Sequence, residues 1–196
     1  DPDHKDFVLS DETDTKIKKD ELPEGLKGKF FTDKVPYGFN YYDQNNEILD
    51  LGPGASEHGM HVAGTAAANG EIKGVAPEAQ VLAMKVFSND PKYATTFDDI
   101  YLEAIEEAIK LEADVLNMSL GASAAFSNAE SAVDIAITNA VNNGIVCSIS
   151  AGNSGYTYYG WDAYNGHGLP FKEDPDYGVV GSPGLSKDSL QVASIE

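Results

Sequence analysis

Between residues 81 and 149 three short apolar runs alternate with two amphipathic stretches, and this order narrows the fold more than any other feature of the chain. Residues 81–87 (VLAMKVF), 114–118 (DVLNM) and 145–149 (IVCSI) have the length and apolar content of buried strands. The first intervening stretch sets Ile100, Ala104, Ile105, Ala108 and Ile109 on one helical face while Glu103, Glu106 and Glu107 face elsewhere. Thr95, Thr96, Asp98 and Asp99 carry capping-box signals ahead of it. The second stretch repeats Val133, Ala136, Ile137, Ala140 and Val141 at the same spacing, with Ser127 and Glu130 as its capping pair and Asn142, Asn143 and Gly144 as its stop. Strand, helix, strand, helix, strand in succession predicts an α/β fold with a parallel sheet and right-handed crossovers. Ligands of such sheets lie beyond the carboxyl ends of the strands, where residues 117–121 (NMSLG) and 150–154 (SAGNS) fall.

The segment 56–65, SEHGMHVAGT, is the strongest chemical signal. Small and apolar residues run from Gly59 to Ala68 before Asn69 and Gly70, which predicts a short buried helix with His58 in its first turn. Gly59 and Gly64 lower the intrinsic helix preference by about 1 kcal/mol each relative to alanine, a cost that close packing offsets. An unperturbed imidazole titrates near pH ~6.5, so a histidine at a cleft can accept and return a proton at neutral pH. His58 is read as such a base and His61 as a packed partner. His58, His61 and Glu57 together suggest a metal site as a competing reading, but an i, i+3 histidine pair falls short of the ligands that zinc takes.

Composition limits the partners. The 196 residues carry 32 acidic against 13 basic side chains, a formal charge of −19, which repels nucleic-acid phosphates and anionic membrane surfaces. No run of eighteen apolar residues offers a membrane span. The single cysteine, Cys147, excludes an internal disulfide and reads as a small buried hydrophobe rather than a catalytic thiol. Residues 1–34 are polar with scattered apolar side chains and read as surface loops. Residues 154–180 hold Tyr156, Tyr158, Tyr159, Trp161, Tyr164 and Tyr177, which suit either a rim for an extended ligand or a loop packed upon itself.

Taken in order, SEHGMHVAGT, GVAPEAQVLAMKVF, DVLNMSLG, ISAGNSG and VVGSPG resemble the motifs of the subtilisin-like serine proteases along nearly the whole chain. Finer stretches, DPDHKDFVLSD, FTDKVPYGFNYYD and EHGMHVAG, are similar to the cell-envelope subgroup that includes lactocepin and the streptococcal C5a peptidase. The resemblance implies a three-layer sandwich with a mostly parallel sheet, incomplete in this fragment. It implies His58 as the general base and Asn153 as the side-chain donor to the oxyanion of the tetrahedral intermediate. Ser119, Leu120 and Gly121 resemble the strand that pairs with substrate and forms one wall of the S1 pocket, and Ser150, Ala151 and Gly152 the facing wall. Ser182-Pro183 matches a position that is cis in the family.

The family orders its triad Asp, His, Ser, and two of the three are expected outside residues 1–196. DPDHKDF resembles the sequence just beyond the aspartate, and no Gly-Thr-Ser-Met-Ala motif follows Asn153. Residues 1–196 are therefore expected to be the central part of a catalytic domain, inactive alone and part of an extracellular or cell-wall-attached serine endopeptidase acting on proteins or peptides. The competing reading from another class is a non-catalytic scaffold of the same fold used for binding or adhesion. The chemistry needs no cofactor. The resemblance leaves room for structural calcium, for which the acidic loop 43–50 is the candidate.

Overall fold

The structure, a computed structural model, describes residues 1–51, 55–93, 95–122, 128, 130–153 and 180–194. The chain divides into two compact units, Asp1–Leu111 and Glu112–Glu196.

In the first unit, strand β1 (Tyr37–Asn40) pairs in parallel with β2 (Leu82–Lys85), Tyr37 opposite Leu82 and Asn40 opposite Lys85. Parallel neighbours cannot be joined by a hairpin, and the crossover carries helix α1 (His58–Ala67). Every residue of β1 is buried, whereas those of β2 are half-buried. Helix α2 (Asp98–Lys110) follows and buries Tyr101, Ala104, Ile105 and Ala108. Its cap residue is Phe97, with no side-chain cap; Thr96 donates its hydroxyl to the Val86 carbonyl instead.

Three expectations fail here for physical reasons. Glu107, assigned above to the polar face of α2, is 3% exposed. Its carboxylate accepts the hydroxyls of Tyr37 and of Tyr41, the latter at 2.7 Å, and the Lys27 N–H at 2.9 Å. A buried carboxylate is tolerated when such donors replace water. Residues 1–34 contribute to the interior as well: Phe7, Asp6 and Lys34 are buried. Asp6 accepts the Glu71 N–H, and Lys34 donates to the carbonyls of Pro77 and Ala79, each at 2.6 Å. Helix α1, expected to be buried, buries only Ala67 among its residues, and a Cβ placed on Gly59 or Gly64 meets nothing within 4 Å.

In the second unit β3 (Val115–Met118), β4 (Val146–Ser150) and β5 (Leu190–Val192) form a parallel sheet in that order. Helix α3 (Ala132–Asn142) makes the β3–β4 crossover and packs on β4. Ser131 caps it, accepting from the Asp134 N–H at 3.1 Å; Ser127, the expected cap, lies outside the described residues. Met118, Cys147 and Ile149 share the buried face of the sheet, and burial pushes the Cys147 thiol up. The other face is open rather than buried: Val115, Val146, Leu190 and Val192 are all exposed. The parallel pairing of β1 with β2 and of β3, β4 and β5 agrees with the α/β expectation.

The Glu107 cluster yields two expectations. Glu107→Ala strips the acceptor from two tyrosine hydroxyls and one backbone N–H, so denaturant unfolding should show a loss of at least about 3 kcal/mol at roughly 1–3 kcal/mol per orphaned group, and Glu107→Gln a smaller one. Burial, then the Glu107 hydrogen bond, pushes the Tyr37 phenol up to about 12 from an ordinary 10.0. A raised folded-state value means that the stabilisation is full below pH 10 and lost as pH rises towards 12. Tyrosinate absorbance in that window should therefore rise together with loss of the far-ultraviolet helix signal, and Tyr37→Phe should weaken the pH dependence.

Candidate functional site

In the first unit the site is built on the start of α1. His58 is its first residue and is exposed, as is His61 one turn on. The residue before His58, Glu57, adopts a left-handed conformation with φ 52 and ψ 10 and accepts the His61 N–H through its carbonyl at 3.0 Å. The His58 N–H donates to the Ser56 hydroxyl at 3.3 Å, and the Ser56 N–H to Asp50 Oδ2 at 2.9 Å. The sequence motif thus becomes a helix start that leaves the imidazole at the surface.

In the second unit the site lies just beyond the carboxyl ends of β3 and β4. Ser119 and Leu120 are half-buried and Gly121 is exposed; Ser150 is half-buried, Ala151 buried and Gly152 exposed. These two stretches are brought together, since the Ser150 hydroxyl donates to the Leu120 carbonyl at 3.1 Å. Gly152 holds φ 93, a left-handed turn that removes the chain from the sheet, and exposed Asn153 follows it.

A third segment, which the sequence reading matched as a motif without a role, links both stretches. The Ala122 N–H donates to the Ser182 carbonyl at 2.9 Å and the Ser182 N–H to the Ala122 carbonyl at 3.0 Å, while the Gly181 N–H donates to the Ala151 carbonyl at 2.9 Å. Gly121 must be glycine for this approach, because a Cβ there would sit 2.7 Å from the Ser182 carbonyl oxygen. Ser182-Pro183 is cis. The Gly-Ser-Pro-Gly punctuation of residues 181–184 was the available signal. The aromatic rim proposed from residues 154–180 lies, up to residue 179, outside the described residues.

Metal ligation is not carried by this arrangement: among the described residues no group of three or more His, Cys, Asp or Glu side chains could hold an ion. In the acidic loop 43–50, Asp43 spends both carboxylate oxygens on protein donors, Ser88 Oγ at 2.7 Å on one and the Asn89 N–H and Asn40 amide on the other. Burial opposes its ionisation, and these three donors with the Lys85 charge outweigh it, holding the carboxyl below its ordinary range. Calcium prefers six to eight oxygen ligands, and the Asp43 carboxylate is already committed to protein donors.

Comparison with known proteins accords with the motifs. Residues 2–196 match the subtilase family. The chain is 44% identical over its whole length to a PII-type proteinase of Lacticaseibacillus paracasei, of which it covers 11%. It is 32% identical over 99% of its length to a C5a peptidase of Streptococcus pyogenes serotype M18 (strain MGAS8232), of which it covers 17%. Among solved structures, sphericase aligns with 70% of this chain and 39% of its own at a TM-score of 0.52 and 30% identity. The chain spans about a tenth of the length of the PII-type proteinase, and within that span it belongs to the subtilase family.

Proposed function

We propose that residues 1–196 are the central part of the catalytic domain of a serine endopeptidase, inactive alone, and that they supply its general base, an oxyanion donor and two substrate-binding walls. The observation that carries the reading is the position of His58, exposed at the first residue of α1 within a subtilase sequence. A serine hydroxyl of the full-length protein passes its proton to the His58 imidazole as it attacks the scissile carbonyl. His58 then returns the proton to the departing amine. Asn153, exposed just past the Gly152 turn, donates its side-chain amide to the oxyanion. Ser119, Leu120 and Gly121 on one side and Ser150, Ala151 and Gly152 on the other bound the S1 pocket, and their tie through Ser150 Oγ keeps the spacing fixed.

These steps are proton and acyl transfers and involve no cofactor. The substrates are proteins or peptides, and an extracellular or cell-envelope location follows from the resemblance to the cell-envelope subgroup. No helix among the described residues is long and apolar enough to cross a membrane.

Kinetics of the full-length protein test this. His58→Ala should abolish peptide hydrolysis, lowering kcat by about 10⁶-fold, the scale measured for the equivalent loss in a subtilisin. Asn153→Ala should lower kcat by about 10²–10³-fold with little change in KM, again the scale of a subtilisin. Retained hydrolysis in His58→Ala contradicts the assignment, and a full-length protein without any hydrolytic activity favours the binding-scaffold reading.

The charge of −19 adds a second expectation. Long-range attraction should favour cationic peptides and weaken as the Debye length falls to about 10 Å at 0.1 M salt. The kcat/KM for a lysine-rich peptide should therefore drop several-fold on going from low to physiological ionic strength while that for a neutral peptide stays flat. Equal salt dependence of the two would contradict it.

A further inference from the structure

We propose that Asp50 is a positioning residue for His58, acting through Ser56, and that Asp43 and Asn89 hold the loop in which Asp50 sits. The proposal rests on the reading of His58 as the general base.

The connection leaving β1 must travel from Asn40 to the start of α1, and past buried Tyr41 the described residues along it are exposed or half-buried, so apolar packing gives it little purchase there. Hydrogen bonds fix it at discrete points. Asp43, just past β1, grips the chain just past β2 by accepting the Ser88 hydroxyl and the Asn89 N–H, at 2.7 and 3.0 Å. The Asn89 side-chain oxygen then accepts the Leu51 N–H at 3.1 Å. One residue earlier, Asp50 Oδ2 accepts the Ser56 N–H at 2.9 Å, and the Ser56 hydroxyl accepts the His58 N–H at 3.3 Å. The sequence of contacts runs without interruption from the strand ends to the backbone of His58.

Glu57 gives this arrangement its purpose. A non-glycine residue at φ 52 is held in a disfavoured conformation, which persists only where its surroundings over-determine it. Two of the bonds that do so, Ser56 to Asp50 and His58 to Ser56, flank it on either side. Without them Glu57 can relax to an extended conformation, and the direction in which the chain enters α1 changes with it. The imidazole moves because its backbone moves, and a misplacement on the order of 1 Å at a catalytic group can cost about 10²-fold in rate.

An acceptor oxygen at residue 50 is what the geometry requires, and a negative charge is not. This separates positioning from electrostatic support of the imidazole. In the full-length protein, Asp50→Ala should lower kcat about tenfold with KM changed less than twofold, and Asp50→Asn, which keeps an oxygen in place, should recover most of that loss. The acid limb of the kcat/KM profile should be the same in Asp50→Asn as in the unaltered protein. Ser56→Ala, which removes only the acceptor for the His58 N–H, should lower kcat several-fold and decides the matter if Asp50→Ala does not fold by circular dichroism. A kcat within twofold of the unaltered protein in Asp50→Ala, or in Ser56→Ala where it stands in, overturns the proposal. So does an Asp50→Asn variant no better than Asp50→Ala. His58→Ala run in parallel keeps the two claims apart: if it hydrolyses peptide at the unaltered rate, the assignment of the base fails, whereas a dead His58→Ala beside a fully active Asp50→Ala refutes the positioning role alone.

Discussion

Parallel pairing governs where the loops of each unit can lie. A parallel strand cannot return to its neighbour through a tight turn, so β1 reaches β2 by way of α1 and β3 reaches β4 by way of α3. The strands of each pair then end at the same edge. In the first unit that edge carries Asp43 beyond β1 and Ser88 and Asn89 beyond β2, close enough for one carboxylate to join them. In the second it carries residues 119–122 beyond β3 and, from Ser150 at the end of β4, residues 151–153 beyond it, joined by the Ser150 hydroxyl and by residues 181–182. The residues assigned to substrate binding are thus neighbours because of strand direction, although about thirty positions separate them in sequence.

Below these edges the interior of the first unit is fixed by buried polar groups as well as by apolar contact. Glu107 on α2 takes two hydroxyls from β1 and the residue that follows it, so the helix cannot slide along the strand without orphaning them. Lys34, 2% exposed, anchors residues 77–79 by their carbonyls just ahead of β2. Burial lowers the affinity of its amine for a proton, with the charge of Glu78 opposing that shift. Each group is costly to bury alone and acceptable only with its partners in place, which favours one arrangement over near alternatives. The loop that leads to His58 starts from this fixed base.

Much of this was legible in the sequence because it rests on local periodicity. The order of strands and helices from β2 to β4 followed from spacing, and His58 at a helix start followed from the glycine-bounded run around it, whereas β5 carried no such signal. What was not legible depended on partners far along the chain. Glu107 sits on the polar side of a helical pattern, and only the phenols of Tyr37 and Tyr41, some seventy positions away, make its burial tolerable. The cap of α3 moved to Ser131 because a serine with an aspartate three residues on served the first turn of the helix that forms. Residues 181–184 looked like a turn by composition, and their bonds to Ala122 and Ala151 could not be deduced from it. The apolar run of α1 suggested burial, yet a run of small residues does not specify what, if anything, covers it.

The central claim is that His58 activates a serine of the full-length protein. Covalent labelling of that protein by a fluorophosphonate, followed by intact mass and peptide mapping, reads this activation without reference to any substrate. The account predicts one adduct on a single serine and no adduct in His58→Ala. Labelling at an equal rate in His58→Ala, or no labelling of the full-length protein at all, would contradict it.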